Sequence, residues 1–204
     1  MIAIINYGVG NLFSLSSSFN AINQNVEIIS NPDALKNFDR IILPGVGAFG
    51  DAAEKLFSSG MAEPLIAEAE NGKPILGICV GMQLLLTKSY EFGEHDGLNL
   101  IPGSVRAIKE VIPENLKIPQ IGWNALHMCC STPPSIFKYT SEGEYVYFVH
   151  SYSAFCDEKF VTSTTNYGAD LVASVQHKNI YGVQFHPEKS GNSGLKILRA
   201  FCEV

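Results

Sequence analysis

The chain has 204 residues, 46% of them apolar and 17% charged, which suits one α/β domain with a sizeable core. A net charge of −6 with no basic block argues against a nucleic-acid binder. No run approaches the length of a membrane span, and Ile2-Ala3-Ile4-Ile5 is too short, and lacks the basic flank, for a signal peptide; a cytoplasmic protein is expected.

Ile2 to Asn6 reads as a strand, and Tyr7-Gly8-Val9-Gly10-Asn11 as a glycine-rich turn into a helix carrying Leu12, Leu15 and Phe19. Phe13 occupies the place of the third glycine of G-x-G-x-x-G, so the turn is read as support for the rim of a site, not as a dinucleotide cradle. Strands follow at Val26 to Ile29 and Arg40 to Leu43, then the glycine turn Pro44-Gly45-Val46-Gly47 and helices at Asp51 to Leu56 and Glu63 to Glu70. Pro74 to Ile78 is a buried strand running into Cys79, and Gly81 to Leu86 starts a helix. The second half is richer in strands: Ser104 to Lys109, Glu144 to Val149, Phe160 to Thr164, Leu171 to Gln176 and Ile180 to Phe185. A helix from about Ser193 to Cys202, with Leu195, Leu198 and Phe201 on one face, closes the chain. Mobile loops are expected near Glu91-Phe92-Gly93-Glu94 and Thr132-Pro133-Pro134-Ser135. Alternating strands and helices imply a parallel sheet covered on both faces.

The cysteine count is five, an odd number with no secretion signal, so a disulfide framework is not expected; the absence of C-x-x-C argues against a zinc site built on cysteine pairs. Cys79 has a distinctive context. Gly77-Ile78-Cys79-Val80-Gly81 is a strand-to-helix junction with the pattern of a nucleophile elbow, sulfur replacing the hydroxyl. Its glycines suit a turn with no room for a β-carbon, and the helix start aims N–H groups at the sulfur, favouring thiolate. The alternative is a small buried hydrophobe. A thiol nucleophile needs a base and an orienter. His186 lies at the end of the Ile180 to Phe185 strand, and Glu188, two residues on, shares its side of an extended backbone. Cys79, His186 and Glu188 thus form a candidate nucleophile, base and orienter, against the alternative of a solvated surface turn. A zinc-deaminase reading of H-x-E fails for want of a following P-C-x-x-C. For an oxyanion, Val80 N–H is one candidate donor, and the Pro44 to Gly47 backbone, otherwise a plain turn, a second.

Pro44-Gly45-Val46-Gly47, Gly77-Ile78-Cys79-Val80-Gly81-Met82-Gln83 and His186-Pro187-Glu188-Lys189-Ser190 together resemble the class I (triad) glutamine amidotransferases. Asn6 to Asn11, Gly122-Trp123-Asn124 and Phe148-Val149-His150-Ser151-Tyr152 extend the likeness nearly end to end, toward the glutaminase subunits of imidazole glycerol phosphate synthases. The resemblance implies one glutamine amidotransferase type 1 domain over residues 1–204, with a central, mostly parallel sheet flanked by helices and additional strands in the C-terminal half. It implies hydrolysis of glutamine by Cys79, His186 and Glu188, with Val46, Gly47 and Val80 around the oxyanion. Gln83 and Glu91 would contact the amino-acid end of the substrate, and the backbone at His150, Ser151 and Tyr152 its carboxylate. Asn11, Trp123, Tyr147 and Lys189 would lie at or near the interface with a cyclase subunit, a (β/α)₈ barrel. Ammonia would pass through that barrel to a bound ribonucleotide in histidine biosynthesis, giving imidazole glycerol phosphate and aminoimidazole carboxamide ribotide. No cofactor, metal, nucleic acid or membrane is implied. The family commonly has leucine at Val80 and P-H-M-G-W where Pro119-Gln120-Ile121-Gly122-Trp123 stands. Other readings are a paralogous subunit feeding another synthase, such as one amidating a cell-surface sugar, an inactive scaffold, or a peptidase or DJ-1-like hydrolase with a similar elbow.

Overall fold

The computed structural model describes residues 1–129 and 134–204. In chain order the elements are β1 (Ile2–Ile5), α1 (Leu12–Ala21), β2 (Val26–Ile29), β3 (Arg40–Leu43), α2 (Phe49–Ser58), α3 (Ala62–Glu70), β4 (Ile75–Ile78), α4 (Val80–Leu84), β5 (Leu86–Ser89), β6 (His95–Asp96) and β7 (Ile101–Ala107). There follow β8 (Gln120–Ala125), β9 (His127–Met128), β10 (Tyr145–His150), β11 (Tyr152–Cys156), β12 (Val161–Asn166), β13 (Asp170–His177), β14 (Ile180–Val183) and α5 (Gly191–Phe201).

The central sheet runs β2-β1-β3-β4-β14-β13-β12-β9. It is parallel from β2 to β14 and antiparallel from there to β9. The parallel part has apolar strands because helices cover both faces: β1, β4 and β14 are buried at every residue. Two smaller sheets, β10-β8 and β11-β7-β5-β6, stand beside it. They meet where β10 passes directly into β11, at Ser151.

Several expectations change. The helix expected to run on from Gly81 to Leu86 stops at Leu84, because the 97–101 segment takes its carbonyls: Leu98 N–H donates to Leu84 O, Asn99 to Leu86 O, and Leu100 and Ile101 to Leu85 O. Leu86 opens β5 instead. The strand expected at Ser104 to Lys109 starts at Ile101 and ends at Ala107, where a 3₁₀ turn takes Ile108–Glu110. On α5 the buried face is Gly194, Ile197, Leu198 and Phe201, with Leu195 only half buried. Of the expected Thr132 to Ser135 loop, Thr132 and Pro133 lie outside the described residues, and Ser135 opens a 3₁₀ turn with Ile136 and Phe137 buried.

The site is positioned by a close crossing of backbones. A β-carbon on Gly81 would lie 1.9 Å from the Leu43 carbonyl oxygen, and one on Gly45 2.5 Å from Gly81 N. The end of β3 therefore presses on the start of α4, which only glycine permits. We predict that Gly81→Ala costs more than about 3 kcal/mol of unfolding free energy or prevents folding. Gly72→Ala, at φ +85° with open space around it, should cost about 1–2 kcal/mol. Urea unfolding of the two variants checks the difference, and equal losses would contradict the crossing argument.

Candidate active site

Cys79 stands between β4 and α4 with φ 55° and ψ −112°, a conformation that L-residues rarely adopt. Neighbouring structure holds it there: its N–H donates to Val183 O at 2.8 Å, and its carbonyl accepts from Gln83 N–H at 3.1 Å. Gly77 leaves the matching space, since a β-carbon there would sit 2.6 Å from Gly81 O. Val80 is the first residue of α4, so its N–H is among the amides that find no partner within the helix.

β14 lies beside β4 in the parallel sheet and delivers the chain to His186 just above it. The imidazole is 2% exposed, and its Nδ1 lies 2.8 Å from Glu188 Oε1. That leaves Nε2 without a carboxylate partner, and Cys79 and His186 line the same cavity. Burial pulls the imidazole toward neutrality, but the hydrogen bonds and negative charge of Cys79 and Glu188 outweigh it and raise its pKa to about 9. Glu188 Oε2 is buried without a hydrogen-bond partner among the described residues. Ser190 clamps the backbone: its Oγ donates to His186 O at 2.6 Å and accepts from Tyr147 N–H at 2.9 Å.

A cavity of about 250 Å³ opens over the sulfur, lined by Val46, Gly47, Cys79, Val80, Gln83, Glu91, Val149, His150, Ser151, Tyr152, His186 and Lys189. The structure thus gathers every residue that the sequence placed around the reacting centre and substrate, with Glu188 behind His186. It also puts Lys189 on the cavity wall. Glu91 Oε2 accepts from Phe49 N–H at 2.6 Å, capping α2, whose own cap residue Ala48 offers no side-chain acceptor. Burial, offset in part by that hydrogen bond, raises its pKa. His150 is buried, with Nδ1 2.8 Å from Tyr152 O and Nε2 2.9 Å from Gln120 Oε1; burial pushes its pKa down to about 4, so it anchors a loop and does not serve as a second base. A larger cavity, about 510 Å³, includes Cys156 but has no histidine in its lining, and burial raises the Cys156 pKa to about 11.

Trp123 and Tyr147 face each other across the β8–β10 pair, edge to face at 6.2 Å, and Lys189 Nζ lies 5.8 Å from the Tyr147 ring centroid. Trp123 is 51% exposed and Ile121 60%, whereas Gln120, one residue before Ile121, is fully buried against His150. The two departures from P-H-M-G-W therefore point to opposite sides of the strand. Asn11 is the N-cap of α1, its Oδ1 accepting from Ser14 N–H at 3.2 Å.

Two residues near the sulfur were not singled out in the sequence. The Tyr7 hydroxyl donates to Pro44 O at 2.7 Å and pins the start of the glycine turn. Gln184 Nε2 lies 3.7 Å from Cys79 Sγ. Its signal is the every-second-residue spacing from His186. The expected strand to Phe185 stops at Val183, and Glu188 reaches the imidazole from a 3₁₀ turn at Pro187–Lys189, not from the extended backbone expected.

The model of the class-I glutamine amidotransferase family matches residues 3–203. The imidazole glycerol phosphate synthase subunit HisH of Wolinella succinogenes is 46% identical, covering 100% of both chains. That of Sulfurimonas denitrificans is 48% identical, covering 100% of this chain and 98% of its own. A crystal structure of a glutamine amidotransferase superposes with TM-score 0.77 at 15% identity, covering 100% of this chain and 98% of the other. PurLQS from Thermotoga maritima gives 0.74 at 18%, covering 99% and 97%. This chain belongs to the class-I glutamine amidotransferase family.

Proposed function

We propose that this chain is the glutaminase subunit of an imidazole glycerol phosphate synthase, hydrolysing glutamine to glutamate and ammonia for a partner cyclase. The relatives over its whole length carry that subunit's name. The observation that carries the mechanism is the pairing of Cys79 with His186 in one cavity sized for a small amino acid, with Glu188 hydrogen-bonded to the far side of the imidazole at 2.8 Å.

Cys79 Sγ attacks the carboxamide carbon of glutamine, and the carbonyl π electrons move to oxygen. Val80 N–H and the Val46–Gly47 backbone stabilise that oxyanion. His186, as imidazolium, gives its proton to the departing ammonia while the C–N bond breaks and a γ-glutamyl thioester remains. Water then attacks the thioester, His186 takes a proton from it, and glutamate leaves as the thiolate returns. Glu188 orients and balances the imidazolium throughout. Gln83 and Glu91 face the amino-acid end of the substrate, and the backbone at His150, Ser151 and Tyr152 its carboxylate.

The exposed face of Trp123 and Ile121, with Tyr147, Lys189 and Asn11, receives the cyclase, a (β/α)₈ barrel, in a cytoplasmic heterodimer. Ammonia enters that barrel and reaches the ribonucleotide there, yielding imidazole glycerol phosphate and aminoimidazole carboxamide ribotide. Among the described residues no helix is long and apolar enough to cross a membrane. Residues 1–204 act as one glutamine amidotransferase type 1 domain.

Two outcomes are expected. The isolated chain should hydrolyse glutamine slowly, and the cyclase with its ribonucleotide should stimulate it about 10²–10³-fold, the worth of one oxyanion donor brought into place by the Pro44 to Gly47 turn. No stimulation, with Cys79 still labelled by a glutamine-like electrophile, would keep the glutaminase and discard the partner. In the complex, hydrolysis should hold to near pH 9 and decline above it as His186 loses its proton. The same raised pKa contributes stability that is fully present below about pH 6.5 and lost as pH rises toward 9. Urea unfolding across that range should therefore show a steeper loss for wild type than for His186→Asn.

A further inference from the structure

Gln184 is fully buried, just beyond β14 and two residues before His186. Its backbone N–H donates to Ala173 O at 2.8 Å, which fixes where its side chain starts. Side-chain amides can often be turned either way, because nitrogen and oxygen look alike. Here the surroundings decide. The Tyr152 carbonyl can only accept, so Gln83 must present its amide nitrogen to it, at 3.1 Å. That same nitrogen lies 3.0 Å from Gln184 Oε1, which must therefore be the acceptor. Gln184 is left with its N–H₂ group toward Cys79 Sγ, at 3.7 Å, a normal separation for a sulfur acceptor.

We infer that Gln184 is a positioning residue for the glutaminase reaction, donating to the Cys79 sulfur and tying it, through Gln83, to the Tyr152 carbonyl on the cavity wall. The inference rests on the reading of Cys79 as nucleophile. The elbow fixes the Cys79 backbone but leaves the sulfur free to rotate about Cα–Cβ, so a side-chain contact must set its position. The Gln184 amide, donating to Sγ at 3.7 Å, is a side-chain contact that does so. The chain Tyr152 O, Gln83, Gln184, Cys79 Sγ makes one line of hydrogen bonds. Alignment of the sulfur and the place where substrate binds are thus set by the same groups. Because the donor contacts sulfur and not substrate, its effect falls on the chemical steps.

The test uses the complex with its cyclase and ribonucleotide, and two variants. Gln184→Met keeps the length and removes all polarity. Gln184→Glu keeps the oxygen that Gln83 needs and removes the donor to sulfur. Both should lower kcat for glutamine hydrolysis about tenfold to a hundredfold, the range for a hydrogen bond to a charged group, with KM changed less than about twofold. Both should also move the pH dependence of Cys79 alkylation by iodoacetamide to higher pH, Glu more than Met, with far-UV circular dichroism unchanged. Wild-type kcat and alkylation profile in either folded variant would overturn the inference. So would a fall in kcat with the alkylation profile unmoved, which is what a packing role produces. If Gln184→Met does not fold, Gln184→Glu decides on the same criteria. Cys79→Ala separates the two readings: if it still hydrolyses glutamine, the nucleophile is wrong. If it is inert while a Gln184 variant behaves as wild type, only the role of Gln184 falls.

Discussion

The contact on which the site depends is the approach of the Leu43 carbonyl to Gly81, where the end of β3 meets the first turn of α4. Because α4 starts so close to the sheet, the chain must reverse within one residue after β4. That residue, Cys79, takes a left-handed conformation that costs roughly 1–3 kcal/mol. The strain is held by the hydrogen bonds of Cys79 to Val183 and Gln83 and by the burial of β4 between β3 and β14. A flexible loop could carry a cysteine, but it could not keep the sulfur fixed against a base on the neighbouring strand.

Charge is arranged by the same topology. β14 brings Gln184 and His186 to the rim, and the turn after His186 returns Glu188 beneath the imidazole. In the proposed mechanism these three groups act on one sulfur, one directly as a base, one through that base and one as an amide donor. With desolvation outweighed by Cys79 and Glu188, the imidazole stays protonated to about pH 9. This is the form that can give a proton to ammonia. The second buried histidine, His150, is pushed down to about 4 by burial, and its ring is held by Tyr152 O and Gln120, so it serves as an anchor.

Much of this was legible in the sequence where a local rule applies. The apolar runs at Ile2, Ile41 and Ile75 fix the parallel strands, the glycines fix the elbow, and H-P-E at a strand end fixes the base and its partner. The resemblance supplied the rest of the cavity lining. What was not legible depends on groups far apart in the chain. The α4 helix stops early because residues 97–101 take its carbonyls, and nothing in Met82 to Leu86 signals that. β8 reverses the usual pattern, with the polar Gln120 buried and Ile121 and Trp123 on the exposed face, and among the described residues it pairs only with β10. Gln184 looks like an ordinary polar strand residue until Gln83, 101 residues away in the chain, and the Tyr152 carbonyl determine which way its amide turns.

The most direct measurement of the central claim, that the strained Cys79 is the nucleophile, is acid quench of the complex during turnover followed by peptide mass mapping. A γ-glutamyl group on the peptide containing Cys79, formed and lost at rates that account for glutamate production, is the result the account requires. Steady glutamate production with no adduct on Cys79, or with the adduct on another cysteine, would contradict it.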